Sequence, residues 1–334
     1  MSGRAEQEQW YESKNRILLK KMPTIASQYY SYFKSSGSRT EASCFTYLSK
    51  LSMYFSFLSN KGINPSNIIV YKKIKPVDIT FYIDNYRGTG DKKKGDSAVA
   101  VMFNAIKSFY SFLENNDYVD KNPCNRLKAP KVNQLSKPVA LTKDEINKVK
   151  DYILYSEKSF YNNDDNEEYW RLRDYLIFTL GCRTGLRCSA ITNIDVDDIN
   201  MEDKYIIVIE KGDVQRNINF GDNTKELINM WLKARSRIMP NSTIKALFIS
   251  KKRNRISPAE IGRMIEKYTS DVIPNKHITP HKMRSTCATN LWEETHDIYM
   301  VANQLGHKNL ANTKRYTDIA ESESRRVANI LDEL

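Results

Sequence analysis

The 334-residue chain has no CxxC pair, no apolar run of bilayer length and no internal repeat. Each absence removes a class of protein. Its five cysteines (Cys44, Cys124, Cys182, Cys188 and Cys287) are scattered, and an odd number so spaced argues against a disulfide framework and against zinc. Reduced thiols that fill cores are expected instead, and no metal or other cofactor is called for. Spanning a bilayer takes about 20 apolar residues in a row, which the chain lacks. The opening "MSGRAEQEQWYESKN" carries no apolar signal core, so a cytoplasmic protein is expected. No basic amphipathic helix shows an exposed aromatic face, which argues against a membrane surface as partner.

What the chain does have is positive charge and enough apolar residues to fold. Apolar residues make up 40% of it, within the range of folded proteins, and its length allows two domains with separate cores. The net charge of +12 points to a polyanionic partner, because Lys and Arg that neutralise phosphates release condensed counterions. A merely solvated basic surface is the alternative.

The first part reads as helices. "TEASCFTYLSKLSMYFSFLSNKG" (40–62) has helical apolar spacing and a glycine stop. In "KPVDITFYIDNYRG" (75–88), Ile79, Tyr82, Ile83 and Tyr86 form one stripe, with Asp78 as cap and Gly88 as end. A third helix covers 96–117, capped by Asp96 or Ser97. Between these two helices "RGTGDKKKGD" is a turn-rich loop carrying Lys92, Lys93 and Lys94. "NPCNRLKAPKVNQLSKPVALTKDE" (122–145), with three prolines, reads as an extended inter-domain linker. Its Arg126, Lys128 and Lys131 would suit a strap along a phosphate backbone. The second part is mixed. Thr142 and Glu145 form a capping box, 168–185 is a buried helix, and 204–209 with 214–220 make a hairpin around Lys211, Gly212 and Asp213. Helices follow near 224–239, 256–273, 279–294, 297–306 and 310–318, then the amphipathic "SRRVANILDEL".

Six residues of this second part complement one another. Arg187 follows a glycine at a helix start, Lys211 sits at the hairpin turn, and His281 and Arg284 share one helix face at a spacing of three. His307 follows Gly306, and Tyr316 lies nine positions further on. Singly each is commonplace; a lone HxxR pair is most often a surface pair. Together they supply what attack on a phosphodiester needs. Two planar, permanently charged forks hold non-bridging oxygens. A phenolate can bond to phosphorus, a mobile lysine can protonate the departing oxygen, and imidazoles can move a proton or donate to the phosphoryl oxygens.

The pieces "TGLR", the lysine of "EKGDVQRNINF", "HKMR", "LGHKN" and "KRYT" resemble the motifs of the tyrosine recombinases, a family of phage integrases, Xer-type resolvases and transposon integrases. The resemblance spans about residues 141–319. It implies a mostly α fold with a small antiparallel sheet: a helical core-binding (SAM-like) DNA-binding domain over 1–125, a linker over 126–140, and a mixed α+β catalytic domain over 141–334, whose terminal helix 321–334 docks into a neighbouring subunit. It makes Tyr316 the nucleophile of a 3′-phosphotyrosyl link, Arg187 and Arg284 the phosphate clamp, Lys211 the general acid, His281 a proton-transfer group and His307 a hydrogen-bond donor to the phosphate. It implies double-stranded DNA with paired sites as partner, a homotetramer on that DNA, a Holliday-junction intermediate, and no need for metal or ATP. Many relatives have an acidic residue where Ala190 stands here, and a histidine and an aromatic where Ser285 and Cys287 stand. No arm-binding domain is recognised ahead of the helical part, so a compact Xer-like or transposon-encoded enzyme is expected rather than an arm-binding phage integrase.

Loop-borne basic clusters, Lys92 to Lys94 and Lys251, Lys252 and Arg253 of "SKKRNR", are candidates for backbone phosphate contacts, which position without reading sequence. Alternatives to the recombinase are a type IB topoisomerase, a telomere resolvase and a non-enzymatic DNA-binding regulator.

Overall fold

Apolar residues at three- and four-residue spacing produce the helices expected in the amino-terminal part, and two more ahead of them. The computed structural model describes residues 3–36, 39–130, 139–162, 164–210, 214–307, 309, 310, 313 and 316. The chain divides into two units at residues 134 and 135. In the first, α1 (Gly3–Leu19), α2 (Thr24–Ser35), α3 (Glu41–Asn60), α4 (Ile69–Lys73), α5 (Pro76–Arg87) and α6 (Asp96–Asn115) enclose a core rich in aromatic rings. Phe109, fully buried, meets Tyr29, Phe55 and Tyr71 edge-on at 5.6, 5.4 and 5.4 Å. Such pairs each add roughly 0.5–1.5 kcal/mol beyond the area they bury. The phenols inside are satisfied within the unit: the Tyr54 and Tyr110 hydroxyls bond each other at 3.0 Å, and Tyr71 donates to Pro65 O at 2.6 Å.

Three local expectations change. Pro76 occupies the first helical position of α5, which puts Asp78 at the third, where it accepts from Lys75 N at 2.8 Å rather than capping the helix itself. Gly95 caps α6, and Asp96 instead pairs with Arg87 from α5 at 2.5 Å. The start of the expected linker is not extended. Asn122 caps a 3-10 turn over Pro123–Arg126 by accepting from Cys124 N at 2.8 Å, and Pro123 and Cys124 are buried in the first core.

In the second unit, Thr142 and Glu145 close their box at the start of α7 (Lys143–Tyr155), with Glu145 N donating to Thr142 Oγ1 at 3.2 Å. The preceding residues belong to this unit too, since Leu141 N donates to Thr286 Oγ1 at 2.9 Å. Helix α8 (Glu167–Thr184) runs through the core and the short α9 (Cys188–Asn193) follows it. The sheet is antiparallel in the order β1 (Ile199–Asn200), β2 (Tyr205–Glu210), β3 (Val214–Asn219); the two-residue β1 was not expected. Glu210 pairs with Val214, so the hairpin turn falls at 211–213, outside the described residues together with Lys211. Then come α10 (Asp222–Ile238), α11 (Pro258–Val272), α12 (Pro280–Thr295) and α13 (Ile298–Leu305). Most of the expected 310–318 helix, the terminal helix 321–334 and Lys131 also lie outside the described residues. Among the described residues no helix is long and apolar enough to cross a membrane.

Candidate active site

Two glycines set how α8, α12 and α13 approach one another. At Gly181 a Cβ would stand 2.5 Å from Met283 Cε, so the Met283 side chain of α12 lies directly against the backbone of α8. Gly185 ends α8 in the left-handed region (φ 65°), which glycine adopts without strain, and a Cβ there would stand 2.7 Å from Leu305 Cδ2. The turn between α8 and α9 is thereby pressed against the end of α13. Two residues on, Arg187 takes the N-cap position of α9, half-buried, its carbonyl accepting from Ala190 N at 2.8 Å.

Arg284 joins the pieces. It lies on α12, only 3% exposed, and donates from Nη1 to Gly185 O at 2.6 Å and from Nη2 to Leu305 O at 2.5 Å. One guanidinium therefore fixes the turn that leads to Arg187 and the turn that leads to His307. His281, on the first turn of the same helix, is exposed. Helix α13 ends at Gly306, again left-handed (φ 65°), and His307 N folds back to Ala302 O at 2.9 Å. Gln304 adds a further tie, Nε2 to Thr184 O at 3.0 Å.

His307 and Tyr316 are linked through one residue. Thr313 is fully buried; its Oγ1 lies 2.9 Å from His307 Nδ1, and its carbonyl accepts from Tyr316 N at 2.9 Å. A hydroxyl on Nδ1 orients the ring and leaves Nε2 directed elsewhere. Tyr316 is 1% exposed and packs on Ala288, Val301 and Leu305. Of the six sequence candidates, the structure links Arg284, His307 and Tyr316 through hydrogen bonds and packing, sets Arg187 two residues beyond the turn that Arg284 holds, carries His281 on the same helix as Arg284, and does not describe Lys211.

Ala190, Ser285 and Cys287, where this chain departs from the motif, are all buried. Ser285 Oγ donates to His281 O at 3.3 Å, and burial pushes the Cys287 thiol up to about 11. The framework also depends on groups that sequence reading passed over: Thr313, Gln304 and the carbonyls of Gly185 and Leu305. The threonine offered no periodic signal, and carbonyls have no sequence signature at all.

Lys93, Arg126, Lys128, Lys252 and Arg253 are exposed. Lys92 closes a 3-10 turn over Gly90–Lys92. Lys94 donates to Tyr86 O at 2.8 Å and lies 4.5 Å from that ring's centroid, while Lys251 pairs with Asp164 at 3.0 Å and donates to Tyr161 O at 3.1 Å. Arg253 sits left-handed (φ 58°) at a turn in which Ser250 N donates to Asn254 O at 2.7 Å.

The phage integrase family model matches residues 141–323. The tyrosine recombinase XerC of Caldanaerobacter subterraneus subsp. tengcongensis is 29% identical over 323 residues, covering 92% of this chain and 87% of that protein. XerC of Vibrio cholerae serotype O1 (strain ATCC 39541) is 30% identical over 67% of each chain. In fold, the chain is similar to XerH recombinase bound to palindromic difH substrate (TM-score 0.68, 20% identity, 97% of this chain and 89% of that one). It is likewise similar to the Tn1549 transposon integrase in complex with a circular intermediate DNA (TM-score 0.64, 17% identity, 92% and 100%). A family model spanning more than half of the chain, over the residues that carry this framework, makes the protein a member of the phage integrase family, a tyrosine site-specific recombinase.

Proposed function

We propose that the protein exchanges strands between two double-stranded DNA sites by transient attachment of DNA to Tyr316. Arg187 and Arg284 grip the non-bridging oxygens of the scissile phosphate, where a bidentate fork is strongest. His307 donates a hydrogen bond to that phosphate and His281 serves in proton transfer. The Tyr316 oxygen attacks phosphorus, a 3′-phosphotyrosyl bond forms, and the 5′ oxygen leaves with a proton from Lys211. The new ester retains the energy of the broken one, so a 5′-hydroxyl from the partner duplex reverses the step without ATP. Two such rounds pass through a Holliday junction on a tetramer, with the segment 321–334 linking subunits. Lys92, Lys93, Lys94, Arg126, Lys128, Lys131, Lys251, Lys252 and Arg253 contact the backbone, those that hold protein groups exchanging them for phosphate.

The single observation that carries this reading is Arg284 bridging Gly185 and Leu305, because that bridge unites the arginine turn and the histidine turn that the chemistry must bring together. Tyr316, packed on Ala288, Val301 and Leu305, has to leave that nest before its oxygen meets phosphorus. The test is a pool of duplexes nicked beside the cleavage point, so that the 5′-hydroxyl fragment diffuses away. The native chain should accumulate a covalent adduct whose DNA reveals the site, and Tyr316→Phe should accumulate none. An adduct with the phenylalanine variant would refute the assignment. Relaxation of supercoils without four-way junctions from paired sites would replace recombination by topoisomerase-like action.

A further inference from the structure

The last turn of α13, which delivers His307, is closed from an unexpected side. A helix leaves its final four carbonyls without intrahelical partners. Here Ala302 O accepts from His307 N at 2.9 Å, and Asn303 O accepts from Gly306 N at 3.0 Å. Leu305 O takes Arg284. The remaining one, Gln304 O, accepts from Arg216 Nη2 at 3.0 Å, and the same nitrogen reaches Asn303 O at 2.9 Å.

Arg216 comes from β3, opposite Val208 in the ladder. The two-residue period of a strand puts it on the face of Ile218, which is 3% exposed, between more open neighbours Gln215 and Asn217. A charge on the core-facing side of a strand is costly unless it is used. Two carbonyls at the negative end of a helix use it well: one guanidinium nitrogen reaches both, and its charge complements the helix dipole. One side chain thus anchors the end of α13 to the sheet, directly ahead of the turn that presents the imidazole.

We propose that Arg216 is a positioning residue for His307, holding the end of α13 where the Gly306 turn places the ring against the phosphate. This rests on the reading that His307 donates to that phosphate. In single-turnover cleavage of a nicked duplex that the native chain cuts, Arg216→Ala should lose on the order of 10- to 100-fold, the scale of a misplaced catalytic group. DNA affinity and its salt dependence should stay as they are. In a His307→Asn background the same substitution should cost less than about twofold, because groups acting through one another are not additive. Arg216→Lys keeps the charge on a side chain one bond shorter than the bridging nitrogen requires, so it should cleave poorly while binding normally; it carries the test if the alanine variant does not fold. The protein has four histidines, which makes their ring resonances separable. Arg216→Lys should move that of His307 and leave that of the exposed His277.

An equal loss in both backgrounds would overturn the proposal. So would a fall in affinity with a salt slope reduced by about one, the mark of a plain phosphate contact. If His307→Asn alone cleaves at the native rate, the reading of His307 fails first and takes this inference with it.

Discussion

The two units bury different things. In the first, the described core is ring against ring, and its one buried ionic side chain is Glu41, which accepts from Asn15 and Tyr30 and pairs with Lys34. In the second, Arg171, Arg173, Asp174, Asp195 and Arg284 are all buried, Arg171 against the Phe160 ring and Arg173 against those of Trp170 and Tyr161. Arg173 meets Asp174 at 2.7 Å, and Tyr161 and Tyr268 both donate to that carboxylate. Arg255 meets Asp195 at 2.6 Å. Arg284 is located by main-chain carbonyls instead. Burying charge brings little net stability even when it is paired. A unit that does so repeatedly is built for geometry, and the candidate active site lies there.

The largest effects should come from breaking each core in its own currency. Asp174→Asn leaves Arg173 buried without its counter-charge, which costs about 3–5 kcal/mol; Phe109→Ala empties the ring cluster for about the same amount. In denaturant titrations followed with probes placed in each unit, Asp174→Asn should shift only the second transition and Phe109→Ala only the first. A shift of both by either variant would mean that the units do not keep separate cores.

Next is Arg284→Lys, which preserves charge and removes the fork. Cleavage in a single turnover should fall by roughly 10²–10³, as when one transition-state donor is lost, while the second transition shifts far less than with Asp174→Asn. The reverse ranking would make Arg284 a structural arginine like Arg173.

This pair also shows what the sequence discloses. Arg284 was recognisable from "HKMR", because motif residues keep their spacing whatever surrounds them. What it grips was not, since Gly185 O and Leu305 O are main-chain atoms brought together by the fold. Local structure followed the same rule. The Thr142–Glu145 box and the hairpin around 211–213 depend on neighbours in sequence, and both were legible. Asp96 looked like a cap and became a partner of Arg87, nine residues away, a choice made by packing. The Asn122–Pro123 start of a 3-10 turn reads like a linker, because proline marks both. Thr313, placed six residues after His307 and three before Tyr316, had no period to betray it.

Thr313→Val, which removes the hydroxyl at constant shape, should therefore slow cleavage by roughly 5- to 10-fold, the worth of one hydrogen bond, and Thr313→Ser should restore it. Equal losses with valine and serine would show that shape, not the bond to His307, is what Thr313 supplies. The smallest effect belongs to the first unit. Burial pushes the Glu41 carboxyl up, but Lys34, Asn15 and Tyr30 outweigh it and hold the group below the usual carboxylate range. A depressed folded value means stability that is present above the unfolded value near 4.3 and lost as pH falls through the folded one. Stability curves of the native chain and Glu41→Gln should differ by about 1 kcal/mol at neutral pH and converge in acid. A gap that persists at low pH would contradict the charge-based account.

The central claim is that the Tyr316 phenol, not another of the 20 tyrosines, becomes bonded to DNA. Peptide mapping of the trapped adduct by mass spectrometry tests it most directly. The account predicts a nucleotide remnant on the peptide containing Tyr316, with Arg284→Lys reducing its yield without moving it. A remnant on any other residue would contradict it.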